Sequence, residues 1–146
     1  MFTIRQADYS DSAAVAVLAQ QLWPHHTSKE LQEEFAPLLR SGNAAVFLAS
    51  HGGVPVGFAQ CQLRHDYVEG TSSSPVGYLE GIFVTPACQK QGIARALLTA
   101  CENWAKEQGC TEFASDCELT NEASLRFHLN VGFEEANRII CFTKKL

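Results

Sequence analysis

No stretch of this chain approaches the roughly 20 consecutive apolar residues that a membrane-spanning helix needs. Its opening, Met1-Phe2-Thr3-Ile4-Arg5-Gln6-Ala7-Asp8, lacks the uninterrupted apolar core of a secretory signal. There is no C-x-x-C pair and no Cys/His set at zinc-finger spacing; Cys61, Cys88, Cys101, Cys110, Cys117 and Cys141 stand singly. That pattern reads as free thiols in a reducing compartment, so a cytoplasmic, soluble protein without a metal is expected. Positive charge is scarce as well. With 11 Lys and Arg against 16 Asp and Glu, net −5, the chain lacks the clustered cations that nucleic acid requires. A cationic or neutral partner fits better where acids gather. Internal repeats and low-complexity tracts are absent.

What remains is a chain of 146 residues, 46% hydrophobic and 18% charged, the size and balance of one compact α/β domain over residues 1–146. Phe2 to Ala7 alternates like a strand, and Ser10-Asp11-Ser12 offers N-caps for an Ala/Val/Leu-rich helix to about Leu22. After the break at Trp23-Pro24-His25-His26, Thr27 or Ser28 can cap a second helix carrying Leu31, Phe35, Leu38 and Leu39, with Pro37 set to bend or stop it. Ala45–Ala49, then His51-Gly52-Gly53, then Val54–Leu63 predicts a hairpin. Arg64 to Pro75 is polar and turn-rich, a surface excursion or a binding loop. Val76–Val84 reads as a buried strand, Ala94–Gln108 as a helix and Thr111–Ser115 as a strand, a β-α-β unit. A shorter helix over Asn121–Leu129 precedes Gly132, and Glu134 to Lys144 holds two further strand-like pieces.

The segment Gln89-Lys90-Gln91-Gly92-Ile93-Ala94 joins that buried strand to the long helix. Glycine and a small residue permit a tight turn, and the first amides of the helix have no intrahelical carbonyl to bond, so they can face phosphate oxygens. G-x-G-x-x-G is missing and so is a Walker lysine-serine pair, which weakens the nucleotide readings. Taken alone, the loop is either an anion cradle or a plain strand-to-helix turn.

Joined to Asn121-x-x-Ser124-x-x-Phe127-His128-x-x-x-Gly132-Phe133, the arrangement strand, Gln89-x-x-Gly92-x-Ala94, helix, strand resembles the GCN5-related N-acetyltransferases (GNAT) along nearly the whole chain. The resemblance implies an α+β fold: one domain whose mixed sheet has a splayed strand pair and helices on both faces. It also implies acetyl-coenzyme A (acetyl-CoA) as co-substrate, its pyrophosphate on the amides of Gln89, Lys90, Gln91, Gly92, Ile93 and Ala94. The pantetheine arm would pair with backbone of Ile82, Phe83 and Val84, left free where the strands splay. Lys90 and Arg95 either add charge for the phosphates or are solvated helix-start residues; Asn121 either touches the cofactor or caps its helix.

Leu22-Trp23-Pro24, Arg64-His65-Asp66-Tyr67-Val68-x-Gly70, Leu79-Glu80-Gly81-Ile82-Phe83-Val84, Ala114-Ser115-Asp116 and Gly132-Phe133-Glu134-Glu135 are similar to motifs of the aminoglycoside 6′-N-acetyltransferases within that superfamily. This implies acetylation of the 6′-amine of an aminoglycoside antibiotic, a small polycation, in a homodimer with an acidic antibiotic site. By motif, Trp23 and His26 or His25 border the sugar, Tyr67 comes from the polar loop, and Glu80, Asp116 and Glu135 meet amines or hydroxyls. Each has a plainer reading: Trp23 as a core aromatic, Tyr67 as a loop anchor, the histidines as surface residues, Asp116 as a cap. Other amine acceptors, such as a polyamine, a protein N-terminus or lysine, and a coenzyme A-binding module without catalysis are the competing functions.

An amine attacks a thioester only when neutral, and alkylamines near pKa ~10.4 are mostly protonated at pH 7. Glu80, a carboxylate in a buried strand, is the candidate base, directly or through water, and Asp116 the orienting group. An amide of Phe83 or Val84 can stabilise the charge that develops on the thioester oxygen. Many relatives carry a tyrosine in the penultimate helix as acid for the departing thiolate. This chain has Phe127-His128 there, so His128 is either that donor or a packing residue.

Overall fold

The computed structural model describes residues 1–146. Five strands form one sheet in sequence order: β1 (Phe2–Gln6), β2 (Ala44–His51), β3 (Val54–Arg64), β4 (Val76–Val84) and β5 (Phe113–Ala114). The first four run antiparallel, and β5 lies parallel to β4. A parallel return needs a long crossover; here helix α3 (Ile93–Glu107) supplies it.

Helices cover both faces. The side chains of β2 alternate between two cores: Ala45, Phe47 and Ala49 face α3, whereas Val46 and Leu48 face α1 (Ser12–Leu22) and α2 (Ser28–Leu38). A strand buried on both sides therefore reads as one apolar run. In α3, Ile93, Leu97, Leu98, Cys101, Trp104 and Ala105 are buried at helical spacing. Leu97 is fully enclosed, so Leu97→Ala should cost about 2–5 kcal/mol. On the opposite face Trp23, Phe35 and Phe58 form an aromatic triple with centroids 6.1–6.4 Å apart. Thr27, rather than Ser28, caps α2 by accepting the Glu30 amide at 3.1 Å. Pro37 lies one residue before the end of α2, where the helix stops.

Two expectations change. The strand predicted over Thr111–Ser115 is only two residues long. The two strand-like pieces expected between Glu134 and Lys144 do not form, since no strand or helix follows α4 (Glu122–Asn130). The tail has β-branched and aromatic residues at Ile139, Ile140 and Phe142, but a strand needs a partner edge, and the chain does not bring the tail to one. No helix is long and apolar enough to cross a membrane. All six cysteines are unpaired, and no group of His, Cys, Asp and Glu is placed to hold a metal ion.

Candidate active site

Between β3 and β4 the register slips: Gln60 pairs with Gly81 but Cys61 pairs with Leu79, leaving Glu80 as the extra residue. A bulge bends its strand and re-aims the side chain it carries. On the other edge, β4 pairs with β5 only at Gly77–Phe113 and Tyr78–Ala114. From Leu79 onward the two strands part, so one edge of β4 over Ile82, Phe83 and Val84 is open to a ligand backbone. The expected splayed pair is present, and its fork lies beside the bulge.

At the far end of β4, the Gln89 side-chain amide donates to the Val84 carbonyl at 3.1 Å and ties the loop to the strand. Lys90 (φ 63°) and Gly92 (φ 83°) both take the left-handed conformation. Alternating handedness of this kind turns successive amides toward one concave side, the geometry of an anion nest. Gly92 caps α3 without a side-chain bond, and the first turn holds no acid. The first intrahelical bond runs from the Ala96 amide to the Gly92 carbonyl at 3.0 Å, which leaves the amides of Ile93, Ala94 and Arg95 as donors. Open space surrounds Gly92. This donor set suits a pyrophosphate and fits acetyl-CoA. The Lys90 side chain is exposed, while Arg95 reaches the Asn130 carbonyl at the end of α4 at 3.2 Å.

Glu80 is not alone. Arg64, at the end of β3, grips both its oxygens, Nη2 to Oε1 at 2.8 Å and Nε to Oε2 at 3.1 Å. The Glu80 side chain is 18% exposed and that of Arg64 39%. The carboxylate's hydrogen bonds hold the guanidinium pKa above its ordinary value. Arg64 also stacks on the Tyr78 ring, 3.5 Å from its centroid. The Tyr78 hydroxyl in turn donates to Asp116. Burial first, then that bond, push the phenol's pKa up, so it stays a proton donor. Glu80 and Asp116, far apart in sequence, are thus joined through Arg64 and Tyr78.

Trp23 packs against Gly81, next to Glu80. With His26, Leu31, Glu34, Phe35, Leu38 and Gln60 it lines a shallow cavity of about 210 Å³. His26 is exposed and 3.3 Å from Glu30, and His25 is exposed too. Tyr67 is 75% exposed, and the neighbouring Val68 is the buried residue of that loop. Glu135 lies outside the Glu80–Asp116 network and pairs with Arg138 at 2.8 Å. Asn121 caps α4 by accepting the Ser124 amide at 3.1 Å.

His128 sits at the fork. Its Nδ1 is 2.7 Å from the Ser124 carbonyl, which can only accept, so Nδ1 carries a hydrogen. Its Nε2 lies 2.8 Å from Ser115 Oγ. That hydroxyl is 3.4 Å from the carbonyl of Leu79, the first β4 residue beyond the last β4–β5 pair. The neighbouring Cys61 thiol and then burial push Cys101 well up, and burial raises Cys110.

A splayed parallel strand pair, a bare helix N-terminus fed by a left-handed loop, and a carboxylate on the neighbouring bulge are the arrangement expected of an acyl-transfer enzyme. Comparison with known proteins gives the family. The profile described as the acetyltransferase (GNAT) family matches residues 7–133, and the chain belongs to that family. It is 46% identical to an aminoglycoside N(6′)-acetyltransferase type 1 of Stenotrophomonas maltophilia, over 99% of this chain and 94% of that protein. A protein of the same description from Klebsiella aerogenes is 43% identical over 98% and 96%. The structure superimposes on that of AAC(6′)-Iy in complex with a bisubstrate analogue, CoA-S-monomethyl-acetylneamine, with TM-score 0.95 and 38% identity, covering 100% of this chain and 99% of that one.

Sequence reasoning missed Arg64, Tyr78, Ser115 and Glu34 as site residues. Arg64, Tyr78 and Ser115 lie inside or beside the motif segments, yet nothing in their spacing says which carboxylate or imidazole they meet. For Glu34 the only signal is its place on α2 between the apolar positions Leu31 and Leu38.

Proposed function

We propose that this chain is an acetyl-CoA-dependent N-acetyltransferase whose acceptor is the 6′-amine of aminoglycoside antibiotics. The observation that carries the reading is the position of Glu80: a carboxylate on the bulge at the mouth of the β4–β5 fork, in a chain nearly half identical to such enzymes over its length. Acetyl-CoA, when bound, supplies a thioester whose acetyl group is transferred directly, so no side chain need become acylated. The amides of Ile93, Ala94 and Arg95 and the Gln89–Gly92 loop hold the pyrophosphate, with Lys90 adding positive charge. The open edge of Ile82, Phe83 and Val84 aligns the arm, and an amide of Phe83 or Val84 faces the thioester oxygen.

Glu80 takes the proton from the attacking nitrogen. In the free protein both its oxygens are occupied by Arg64, so a cation already stands where a substrate ammonium is to bind. A polycation can take over one of these oxygens, and Asp116, fixed by Tyr78, orients it. Trp23 and His26 border the sugar beside the cavity; Tyr67 and Glu135 reach it from the loop and the tail. On the leaving side, protonated His128 donates through Nε2 to Ser115 Oγ, and the Ser115 hydroxyl gives its own hydrogen to the departing sulfur. The charge balances, with imidazolium and thiolate becoming imidazole and thiol. Asn121 orders α4, which carries His128.

Six unpaired thiols fit a cytoplasmic enzyme, one domain spans residues 1–146, and the working unit is a homodimer. A thiol-release assay with acetyl-CoA across aminoglycosides with and without a 6′-amine tests the function. Turnover confined to those bearing that amine is expected. Turnover only with polyamines or peptides would overturn the acceptor assignment.

A further inference from the structure

Gln60 is a polar side chain in an apolar place. It is 8% exposed, and alternation along β3 puts it on the same face as Phe58, toward α1 and α2, while Ala59 and Cys61 join the core under α3. Its side-chain amide takes part in no hydrogen bond within the chain, unlike its neighbour Cys61 and unlike Arg64 at the end of the strand. Every side-chain nitrogen or oxygen that is fully enclosed does have a partner, so this amide is not sealed in. It opens onto the cavity that Gln60 lines with Trp23, His26 and Glu34. A leucine here would extend the Phe35–Phe58 packing without stranding a donor and an acceptor. The amide is placed to meet something that enters.

The cavity adjoins the chemistry. Gln60 pairs with Gly81 across the β3–β4 ladder, the Trp23 ring lies against Gly81, and Glu80 is the next residue of β4. At about 210 Å³ the cavity is smaller than the ~300–1,000 Å³ of sites that enclose a whole drug-sized ligand. It therefore takes one part of the acceptor, the part beside the nitrogen at Glu80. The polar groups say which. Glu34 is exposed at this cavity and makes no ion pair within the chain. Glu30, one turn earlier on the same face of α2 and 3.3 Å from His26, adds a second carboxylate. With the Gln60 carbonyl these groups are acceptors, which suits a cation that donates.

We propose that Gln60 and Glu34 form a second amine subsite, receiving an ammonium on the same sugar ring as the 6′-amine while that amine meets Glu80. The proposal rests on the aminoglycoside reading and adds which residues discriminate among acceptors that share a 6′-amine. The ammonium donates to the Gln60 carbonyl oxygen and to the Glu34 carboxylate. A hydroxyl at the same position meets the same atoms without the charge, so it is held less tightly.

Steady-state kinetics with acetyl-CoA on kanamycin B and kanamycin A test this, because both carry the 6′-amine and differ only in bearing an amine or a hydroxyl at the 2′ position of that ring. Wild type is expected to show the lower KM for kanamycin B. Gln60→Leu should raise that KM about tenfold, ~1.4 kcal/mol, leave the KM for kanamycin A and for acetyl-CoA within about twofold, and melt at or above the wild-type Tm. A residue that only packs would show the reverse, a lower Tm with both antibiotic KM values unchanged, and that result would overturn the subsite. Should Gln60→Leu not fold, Glu34→Gln on the surface of α2 carries the same expectation for the two antibiotics. Equal wild-type KM values, or variants that leave kanamycin B unaffected or weaken both antibiotics alike, also overturn it, while wild-type turnover of the two keeps the acceptor assignment. No wild-type turnover of either antibiotic overturns both.

Discussion

Replacing Gly81 with alanine tests whether the wall of the cavity proposed for the acceptor is set by the β4 backbone. A Cβ at Gly81 would lie 2.7 Å from Cη2 and 2.8 Å from Cζ2 of Trp23, and 3.4 Å from Leu22 Cδ2. An unstrained carbon contact sits at ~3.5–4.0 Å, so the indole must retreat by roughly 1 Å. Phe35 and Phe58 flank it with centroids 6.4 and 6.1 Å away, so the direction left to it is into the cavity it lines. Overpacking of this kind costs about 1–3 kcal/mol, which for a chain of this size lowers Tm by roughly 3–10 °C. Gly42 provides the control, since nothing lies within 4 Å of its Cβ position, and Gly42→Ala should be neutral or stabilising by up to ~1 kcal/mol. Calorimetry gives the first readout and steady-state kinetics the second. The displaced indole should raise the aminoglycoside KM by about tenfold, a loss of ~1.4 kcal/mol of binding, with acetyl-CoA affinity unchanged. A Gly81→Ala enzyme that matches wild type in Tm and aminoglycoside KM would refute the claim that Trp23 is wedged on Gly81 and borders the substrate.

Glu80→Gln should lower kcat by at least ~10-fold, up to the ~10²–10⁴ of lost general-base catalysis, with acetyl-CoA affinity nearly unchanged; unaltered turnover removes Glu80 from the chemistry. The proposed relay predicts that Ser115→Ala costs turnover about as much as His128→Ala, and the double variant little more; additive losses in the cycle would sever them. Asp11 accepts two hydrogen bonds from Arg5 at 2.7 Å, which hold its carboxyl below the usual range against the opposing effect of burial. A depressed folded pKa stabilises above the unfolded value of ~3.9 and loses that contribution as pH falls through the folded value. Asp11→Asn should therefore lower stability by about 1 kcal/mol at pH 7, a modest figure because the Arg5 side chain is 56% exposed. Thermal melts should show the gap to wild type closing below about pH 4, and a gap that widens in acid would contradict the pair.

Much of the site was legible because it is local in sequence. Gln89 to Ala94 announces a strand-to-helix turn with free amides from its glycine and the helix that follows, since free first-turn amides belong to any helix start. Glu80 stood out because a carboxylate inside an apolar strand demands a partner. Which partner was beyond reach: Arg64 sits 16 positions away, and it meets Glu80 only because the bulge turns that residue out of the ladder. The pairing of His128 with Ser115 likewise depends on α4 packing over the end of β5.

The tail shows the limit most clearly. Its β-branched and aromatic residues suggested strands that the structure does not form, because a strand exists only where another edge completes its hydrogen bonds. By itself the sequence determined the helices, the four long strands, the strand-to-helix loop and the family, all of which follow from periodicity, caps and motifs within short windows. Tertiary structure alone decided the bulge at Glu80, the Arg64–Tyr78–Asp116 network, the Ser115–His128 pair and the uncovered C-terminal segment. Those depend on register and on which edges meet in space, which is fixed by the packing of the whole sheet.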